Sequence, residues 1–459
     1  MASLINLTRG NEIGANCYYL DFNGKGVVLD SGMHPKAEGF AAIPNFNAVG
    51  NRKAEALFLT HAHHDHVGSM PLAMQRFYDA KVFMSEPTYF LAEPLLHNSV
   101  NVMKKQRQEK GITEYPLFQH GDLKVMMDRW QACHLNQWWS TEGFTLKDDE
   151  QADIKFRFHH AGHILGAVMI ELEAAGKKIL YTGDINLKDQ TLMNRAQVPA
   201  GSFDTLIIEC TRGANPTPAG YSRANETQKF LDAIKTTFDN HGGVLIPVFA
   251  MGKTQEIITI LHEAQLRGDL PQETIYIGGL GRIFSEIYDR MANRSERFRP
   301  NLQIMEDIHP QVFDWTKLKT FKPKKGQILL VPAGMMTEQT TSNRLAQLYL
   351  AREQDGIFFV GYCDPDSPAG RLKRTARGQR VNLNPEYGEQ PVLCNVQHFD
   401  FTSHALREDL LDFTLQVNPK TCFLVHGDIA ALDWFQTQLA EKAPQMKVHI
   451  PAPGVEIPF

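Results

Sequence analysis

The sequence predicts an α/β protein of layered sheets covered by helices, interrupted by a block of βαβ units with a parallel sheet of its own. Three observations carry this reading. Short apolar strands separated by turns fill the first 210 residues; strands and helices alternate at even spacing from about 222; and the strand-rich style resumes after a Gly-, Pro- and Arg-rich tract at 367–391.

In the first block, strands are read at CYYLDF, GVVLDSG, ALFLTH, IKFRFHHAGH, AVMIELEA, KKILYTGD and TLIIEC, with the turn NGKG joining the first two. Two helices stand out, one starting at Ser69 with Met70, Leu72, Ala73 and Phe77 on one face, the other at about 86–110. The middle block reads as helix 224–239, strand VLIPVFA, helix TQEIITILHEAQL, strand TIYIGG, helix RIFSEIYDRMA, strand ILLVPA, helix SNRLAQLYLA and strand GIFFVGY. Such spacing indicates parallel strands joined by crossover helices. The last block reads as VLCNVQHFDFTSHAL, a helix at 405–416, strand CFLVHGD, a helix from 429 and the ending VHIPAPGVEIPF. Domain limits of 1–212, 213–385 and 386–459 follow, in keeping with about 100 to 200 residues per structural unit.

Composition excludes several classes. No apolar run approaches the roughly 20 residues needed to cross a bilayer, so a membrane protein is not expected. The N-terminus MASLINLTRGNEIG lacks the basic start, apolar stretch and cleavage site of a secretory signal, and the cytoplasm is the expected location. The 6 cysteines lie far apart with no C-x-x-C pair, which suggests buried thiols and neither a disulfide framework nor a thiolate metal site. A net charge of -5 argues against bulk attraction to nucleic acid while permitting a locally basic groove. Histidine is the unusual count, at 18, and several sit beside carboxylates.

Strand ALFLT runs into HAHHDHVGS, and a strand end is where a rigid sheet can bring side chains to one point. In H-x-H-x-D-H, His61 and His63 can reach one metal ion while Asp65 and His66 turn toward another, a ligand set that zinc accepts. A surface histidine patch is the competing reading, and the ordered alternation speaks against it. His163, Asp184 and His426 each follow an apolar strand. Singly, each also fits a hydrogen-bonding or turn residue; together they supply what two ions still lack, including a carboxylate able to bridge. Asp30, ending GVVLD, is read as orienting a ligating histidine, with a turn role before Ser31 and Gly32 as the alternative.

Taken in order, Asp30, HAHHDH, His163 and Asp184 resemble the motifs of the metallo-β-lactamase fold superfamily. Glu209 in LIIECT, His404 in FTSHAL, His426 in LVHGD, the opening PVFAMGKTQEI and the closing GYCDPDSPAGR are similar to its β-CASP branch of nucleases. The resemblance covers nearly the whole chain. It implies an αββα sandwich carrying an inserted β-CASP domain, the two closing a cleft over the metals. One zinc would be held by His61, His63 and His163, the other by Asp65, His66 and His426, with Asp184 bridging. It also implies RNA as substrate, because the last motif is His in RNA-processing members and Val in DNA-repair members.

The implied activity is that of a zinc-dependent ribonuclease, endo- or 5′-exonucleolytic, in which a hydroxide bridging two zinc ions attacks phosphorus. Asp65, Asp184, Glu209 and His404 are the implied catalytic groups, with His404 as general acid and Glu209 holding its imidazole. A homodimer or an RNA-processing complex is the expected assembly. A small-molecule metallo-hydrolase and a DNA-directed nuclease are the alternatives; relatives of the former generally lack the inserted block and the His404–Glu209 pair.

Departures from the family pattern concern the phosphate grip. Ala333-Gly334-Met335 stands where many relatives have Ser-Gly-Met, and Lys253 where an Arg commonly stands, so it keeps the charge without the bidentate fork. Arg212 stands where relatives often have Tyr. Lys253, Ala333, Gly334 and Arg371 are the expected substrate contacts. Arg371 belongs to a basic run with Lys373, Arg374, Arg377 and Arg380 that fits RNA backbone or a solvated face equally. Trp138 and Trp139 read as packing residues rather than a base-stacking platform.

Overall fold

A computed structural model describes residues 2–459. They form two compact units: Met1–Asp189, Asn194–Thr217 and Ser403–Phe459 make the first, Gln190–Met193 and Pro218–Thr402 the second. Among the described residues no helix is long and apolar enough to cross a membrane.

The first unit holds two sheets. In one, β1 (Ala2–Asn6), β2 (Tyr18–Phe22), β3 (Lys25–Leu29), β4 (Ala56–Phe58), β5 (Lys81–Ser85) and β6 (Trp130–Cys133) lie side by side in chain order, and the last strand, β23 (Glu456–Pro458), flanks β1. The expected turn between β2 and β3 is Asn23-Gly24, both at positive φ (57° and 90°), the backbone that lets a two-residue hairpin follow the strand twist. The other sheet uses β7 (Trp138–Ser140), β8 (Thr145–Leu146), β9 (Ile154–His160), β10 (Val168–Ala174), β11 (Lys177–Tyr181), β12 (Thr205–Glu209), β21 (Thr421–Val425) and β22 (Lys447–His449), in the order β22-β21-β12-β11-β10-β9-β7-β8.

The period-2 pattern of the strands explains how the sheets stack. Phe156 and Phe158 of β9 and Ile170 and Leu172 of β10 enter a core shared with Leu4, Phe58 and Phe83 of the first sheet. The Phe58 and Phe156 rings meet edge to face at 4.8 Å between centroids. Alternate residues face the other way: Arg157 and His159 of β9 close on Glu171 of β10. Trp138 and Trp139 are buried, and Lys155 and Arg157 lie over the Trp138 ring, so both indoles are packing residues as expected.

Helices α1 (His64–Val67), α2 (Met70–Arg76), α3 (Glu86–Lys110), α4 (His120–Met127), α10 (Arg407–Val417) and α11 (Ile429–Lys442) complete the unit. The Ser85 hydroxyl caps α3 by accepting from the Thr88 amide, and Gly111 at φ 71° ends it. Helix α3 covers β5 and β6, and α11 covers β21 and β22, which puts helices on the outside of both sheets.

In the second unit, β13 (Val244–Pro247), β14 (Ile275–Ile277), β15 (Gln311–Val312), β16 (Ile328–Val331), β17 (Gly356–Phe359) and β20 (Asn395–His398) form a sheet in the order β15-β14-β16-β13-β17-β20. Every pairing in it is parallel. Helices α5 (Arg223–Asp239), α6 (Lys253–Leu266), α7 (Gly279–Arg290), α8 (Thr341–Tyr349) and α9 (Pro368–Arg374) alternate with the strands, and β18 (Arg380–Asn382) and β19 (Glu389–Pro391) make a small hairpin.

The unit boundaries differ from the sequence-based limits. The second unit runs to Thr402 rather than 385, because VLCNVQH, which reads like the first block, supplies β20 and pairs with β17. Gln190–Met193 also joins it: the Thr191 and Leu192 amides donate to the buried Glu256 carboxylate. Neither feature alters a local sequence pattern, so neither is visible before folding.

Candidate metal centre

Six strand ends of the first unit converge on one site. Parallel strands present their carboxyl ends at one sheet edge, which is where loops of α/β proteins hold ligands. Asp30 follows β3, His61 follows β4, His163 lies beyond β9, Asp184 beyond β11, Glu209 ends β12 and His426 follows β21. Asp30 and His426 adopt positive φ (58° and 49°), a backbone few non-glycine residues hold without a local reason. For Asp30 the reason is visible in its partners. Its carboxylate accepts from the Thr60 amide at 2.8 Å, the Thr60 hydroxyl at 2.9 Å and the Tyr181 hydroxyl at 2.7 Å, and lies 2.8 Å from His66 Nδ1.

The segment HAHHDH divides as its spacing suggests. His63 has extended backbone at the N-cap position of α1, His61 lies in the segment between β4 and that helix, and Asp65 and His66 ride the one-turn helix. Gly32 makes this turn possible, since a Cβ there would come within 1.7 Å of the Asp65 carbonyl oxygen. Among the described residues, nine side chains with metal-binding atoms gather in three sets, two of which share Asp184, each with its ligand atoms within 4.8 Å of one another: His61, His63, His163 and Asp184; Asp65, His66 and His426; Asp184, Glu209 and His404.

Asp184 stands between the sets. Its Oδ2 lies 3.4 Å from His61 Nε2 and 3.5 Å from His163 Nε2, and its Oδ1 lies 3.3 Å from His66 Nε2 and 3.2 Å from His426 Nδ1. It is buried, and Oδ1 has no hydrogen-bond partner. His61 Nε2 and His163 Nε2 are each about as close to His63 Nδ1, at 3.1 and 3.0 Å. Three imidazole nitrogens facing one point cannot all be matched as donor and acceptor, and a buried orphan carboxylate oxygen costs free energy. Divalent metal ions held by these groups would satisfy both conditions, so the donor chemistry around Asp184 fits metal binding.

Electrostatics divides the histidines. Burial lowers the pKa of His61 and His163 well below the usual value and that of His63 to about 4, leaving neutral rings, the form that binds metal. At His66 burial is outweighed by Asp184 and Asp30, and its pKa is raised. His404 follows the same pattern: burial opposes the charged form, but Glu209 and Asp184 raise its pKa. His404 Nδ1 lies 3.0 Å from Glu209 Oε2, which leaves Nε2 pointing inward, 3.9 Å from Asp184 Oδ2. The Ile185 amide donates to Glu209 Oε1 and fixes that carboxylate in turn.

All ten residues expected from the sequence for metal binding, catalysis and orientation therefore lie in this one site: Asp30, His61, His63, Asp65, His66, His163, Asp184, Glu209, His404 and His426. The four expected substrate contacts belong to the second unit. There Lys253 is buried with its ammonium on the Phe401 carbonyl, Ala333 and Gly334 follow β16, and Arg371 on α9 donates to the Asn382 and Asp366 carbonyls. Several supporting residues escaped the sequence reading. The Thr211 hydroxyl lies 2.9 Å from His426 Nδ1, Asn16 Nδ2 lies 3.2 Å from His66 Nε2, and the Ser403 carbonyl lies 2.8 Å from His163 Nδ1. Thr211, two residues beyond Glu209, had a signal in its place after a site strand; Asn16 and Ser403 had none.

Comparison with known proteins identifies the family. The metallo-beta-lactamase superfamily model matches residues 10–236, the Beta-Casp domain model 254–372, and the Zn-dependent metallo-hydrolase RNA specificity domain model 389–451. The endoribonuclease ysh1 of Schizosaccharomyces pombe is 29% identical over 98% of this chain and 57% of its own length. The endoribonuclease YSH1 of Saccharomyces cerevisiae is 28% identical over 96% of this chain and 56% of its own. The cleavage and polyadenylation specificity factor subunit 3-I of Arabidopsis thaliana is 27% identical over 97% and 62%. The chain thus spans little more than half the length of these relatives. A crystal structure of a protein of unknown function from Enterococcus faecalis aligns over 100% of both chains with a TM-score of 0.54 at 12% identity, a likeness of fold alone. With three domain models in tandem and the His/Asp motifs gathered at strand ends of both sheets of the first unit, the chain belongs to the β-CASP branch of the metallo-β-lactamase superfamily, a lactamase-like fold with an inserted β-CASP domain.

Proposed function

We propose that this chain is a zinc-dependent ribonuclease hydrolysing phosphodiester bonds at a two-ion centre. The observation that carries the proposal is the Asp184 carboxylate, each oxygen turned to a different ligand set, beside the paired His404 and Glu209. In this reading His61, His63 and His163 would hold one ion and Asp65, His66 and His426 the other, with Asp184 available to both. Bound zinc supplies a hydroxide nucleophile near neutral pH and neutralises charge on the reacting phosphate.

The chain's own groups do the rest. Asp30 keeps the proton of His66 on Nδ1 and so turns Nε2 inward. Protonated His404 gives its Nε2 proton to the departing ribose oxygen as the phosphorus–oxygen bond breaks, and Glu209, on Nδ1, stabilises the charged ring until then. RNA as substrate is supported by the match to an RNA specificity domain and by the names of the relatives. Work within an RNA-processing assembly is supported by the relative named as a subunit of a cleavage and polyadenylation specificity factor.

The test is direct. Purified protein with zinc is incubated with RNA and DNA oligonucleotides of one sequence, labelled at either end, beside a His63→Ala control. Cutting of RNA by the parent alone is expected, and the end label reports the mode. Cutting of neither polymer, or equal cutting by the control, overturns the reading, and preference for DNA replaces it with a DNA-directed nuclease.

A further inference from the structure

The parallel strands that lead to the candidate metal centre also have amino ends, and these gather a different chemistry. In the first unit β11, β12, β21 and β22 lie side by side and all run the same way. Asp184, Glu209 and His426 stand at or beyond the carboxyl ends of the first three. At the amino ends, Lys177 opens β11, Lys420 precedes β21 and Lys447 opens β22. Strands of 5 residues put roughly 15 Å between the two ends, so a ligand here is clear of the metal centre.

The three lysines line a pocket of about 430 Å³, a volume in the range of small-ligand sites. The strand ladder fixes two of them as neighbours, since the Lys447 amide donates to the Lys420 carbonyl at 3.0 Å. Among the described residues no aspartate or glutamate lines the pocket. Lys420 reaches away to Asp204, Nζ lying 2.7 Å from Oδ1, whereas Lys177 and Lys447 make no ion pair among the described residues. Two ammonium groups are therefore left to face a ligand.

The same pocket has aromatic walls. The His449 ring lies over Phe423 at 5.3 Å and 27°, and the Phe459 ring meets Phe423 edge-on at 5.5 Å. Phe423 is fully buried in the core between the sheets, while His449 and Phe459 are half-buried and line the pocket. Burial and the Lys447 ammonium both hold the His449 pKa below its usual value, which leaves the imidazole a neutral ring at pH 7. Flat rings that accept a base and ammonium groups that accept a phosphate are the two halves of a nucleotide site. Two unpaired lysines match a phosphate monoester, which carries about -1.5 to -2 charges at pH 7, better than the single charge of a diester.

We infer that this pocket binds a nucleoside monophosphate, its phosphate held by Lys177 and Lys447 and its base against His449 and Phe459. The inference goes beyond the ribonuclease reading and does not depend on it, because the pocket shares no residue with the candidate metal centre.

The test uses the full zinc-loaded chain and calorimetric titration with AMP, adenosine and inorganic phosphate in turn. AMP should bind about tenfold or more tightly than either part alone, since one part lacks the stacked base and the other the charged contact. Lys177→Gln with Lys447→Gln should weaken AMP about 10- to 100-fold. Phe459→Leu should weaken AMP about 5- to 100-fold and leave inorganic phosphate unchanged. Lys177→Arg with Lys447→Arg, which keeps both charges, should bind AMP like the parent. Circular dichroism and zinc content report the folding of each variant. Equal AMP affinity in the parent and the folded Gln variant would place the nucleotide elsewhere and overturn the inference. Inorganic phosphate bound as tightly as AMP would reduce the pocket to a bare anion site and overturn it too, as would the absence of AMP binding at millimolar concentration. Cleavage of RNA by the same preparations reports separately on the ribonuclease reading.

Discussion

Replacing Asp30 by Asn tests how far one carboxylate outside the ligand set governs the metal centre. Asp30 is fully buried and its Oδ2 lies 2.7 Å from the Tyr181 hydroxyl and 2.8 Å from His66 Nδ1. An amide nitrogen in that place faces a hydroxyl, which can rotate to accept, and an imidazole N–H, which cannot. His66 must then either keep a buried unmatched donor, costing about 1–3 kcal/mol, or move its proton to Nε2. The second choice removes the lone pair that a metal needs. A loss of about 10- to 100-fold in zinc affinity follows, or about 1.4–2.7 kcal/mol. Competition with a chromogenic chelator measures it, with circular dichroism to establish that the variant is folded. A folded Asp30→Asn protein holding zinc within twofold of the parent would refute the orienting role.

Three further outcomes follow from the geometry. His404→Ala should lower kcat for RNA about 10²- to 10⁴-fold while zinc content stays at the parental value, measured by single-turnover cleavage and elemental analysis. Gly32→Ala, whose Cβ would meet the Asp65 carbonyl oxygen at 1.7 Å, should lower both the thermal midpoint and zinc retention. Glu171 should show in acid. Burial alone would raise its pKa, but hydrogen bonds from His159, Lys178 and Arg157 outweigh it and bring it to about 2, from 4.5. A depressed folded-state pKa stabilises the fold above the unfolded value and is lost as pH falls toward 2. Glu171→Gln should therefore be less stable by about 3 kcal/mol at pH 7, and the gap from the parent should narrow by about 1 kcal/mol by pH 3.5. Thermal melts of both proteins check this, and a gap independent of pH would contradict it.

The residues proposed to bind metal were legible because they are chemically unusual side chains, most of them shortly after an apolar strand, and strand ends are positions that local pattern alone can locate. His163 and His426 needed no knowledge of long-range pairing to be suspected. Which strands lie together is a different matter: β12 pairs with β21 across more than two hundred residues, and only that pairing brings His426 to Asp184. The NGKG hairpin and the long helix Glu86–Lys110 were likewise readable, the first from turn chemistry, and the structure bounds the second with a Ser85 cap and Gly111. By contrast β20 looked like a return to the first domain because NVQH carries neither a clear period nor a boundary signal, and its place is set by pairing with β17. Asn16 and Ser403 were invisible for a similar reason, since one acts through a long-range contact with His66 and the other through a backbone carbonyl.

The central claim is a two-ion centre held by this particular set of side chains. Crystals of the zinc-replete chain, measured on both sides of the zinc absorption edge, test it without reference to any substrate. The account predicts two anomalous peaks, one among His61, His63 and His163, the other among Asp65, His66 and His426, with Asp184 reaching both. A single peak, or zinc bound by other residues with Asp184 turned away, would contradict it.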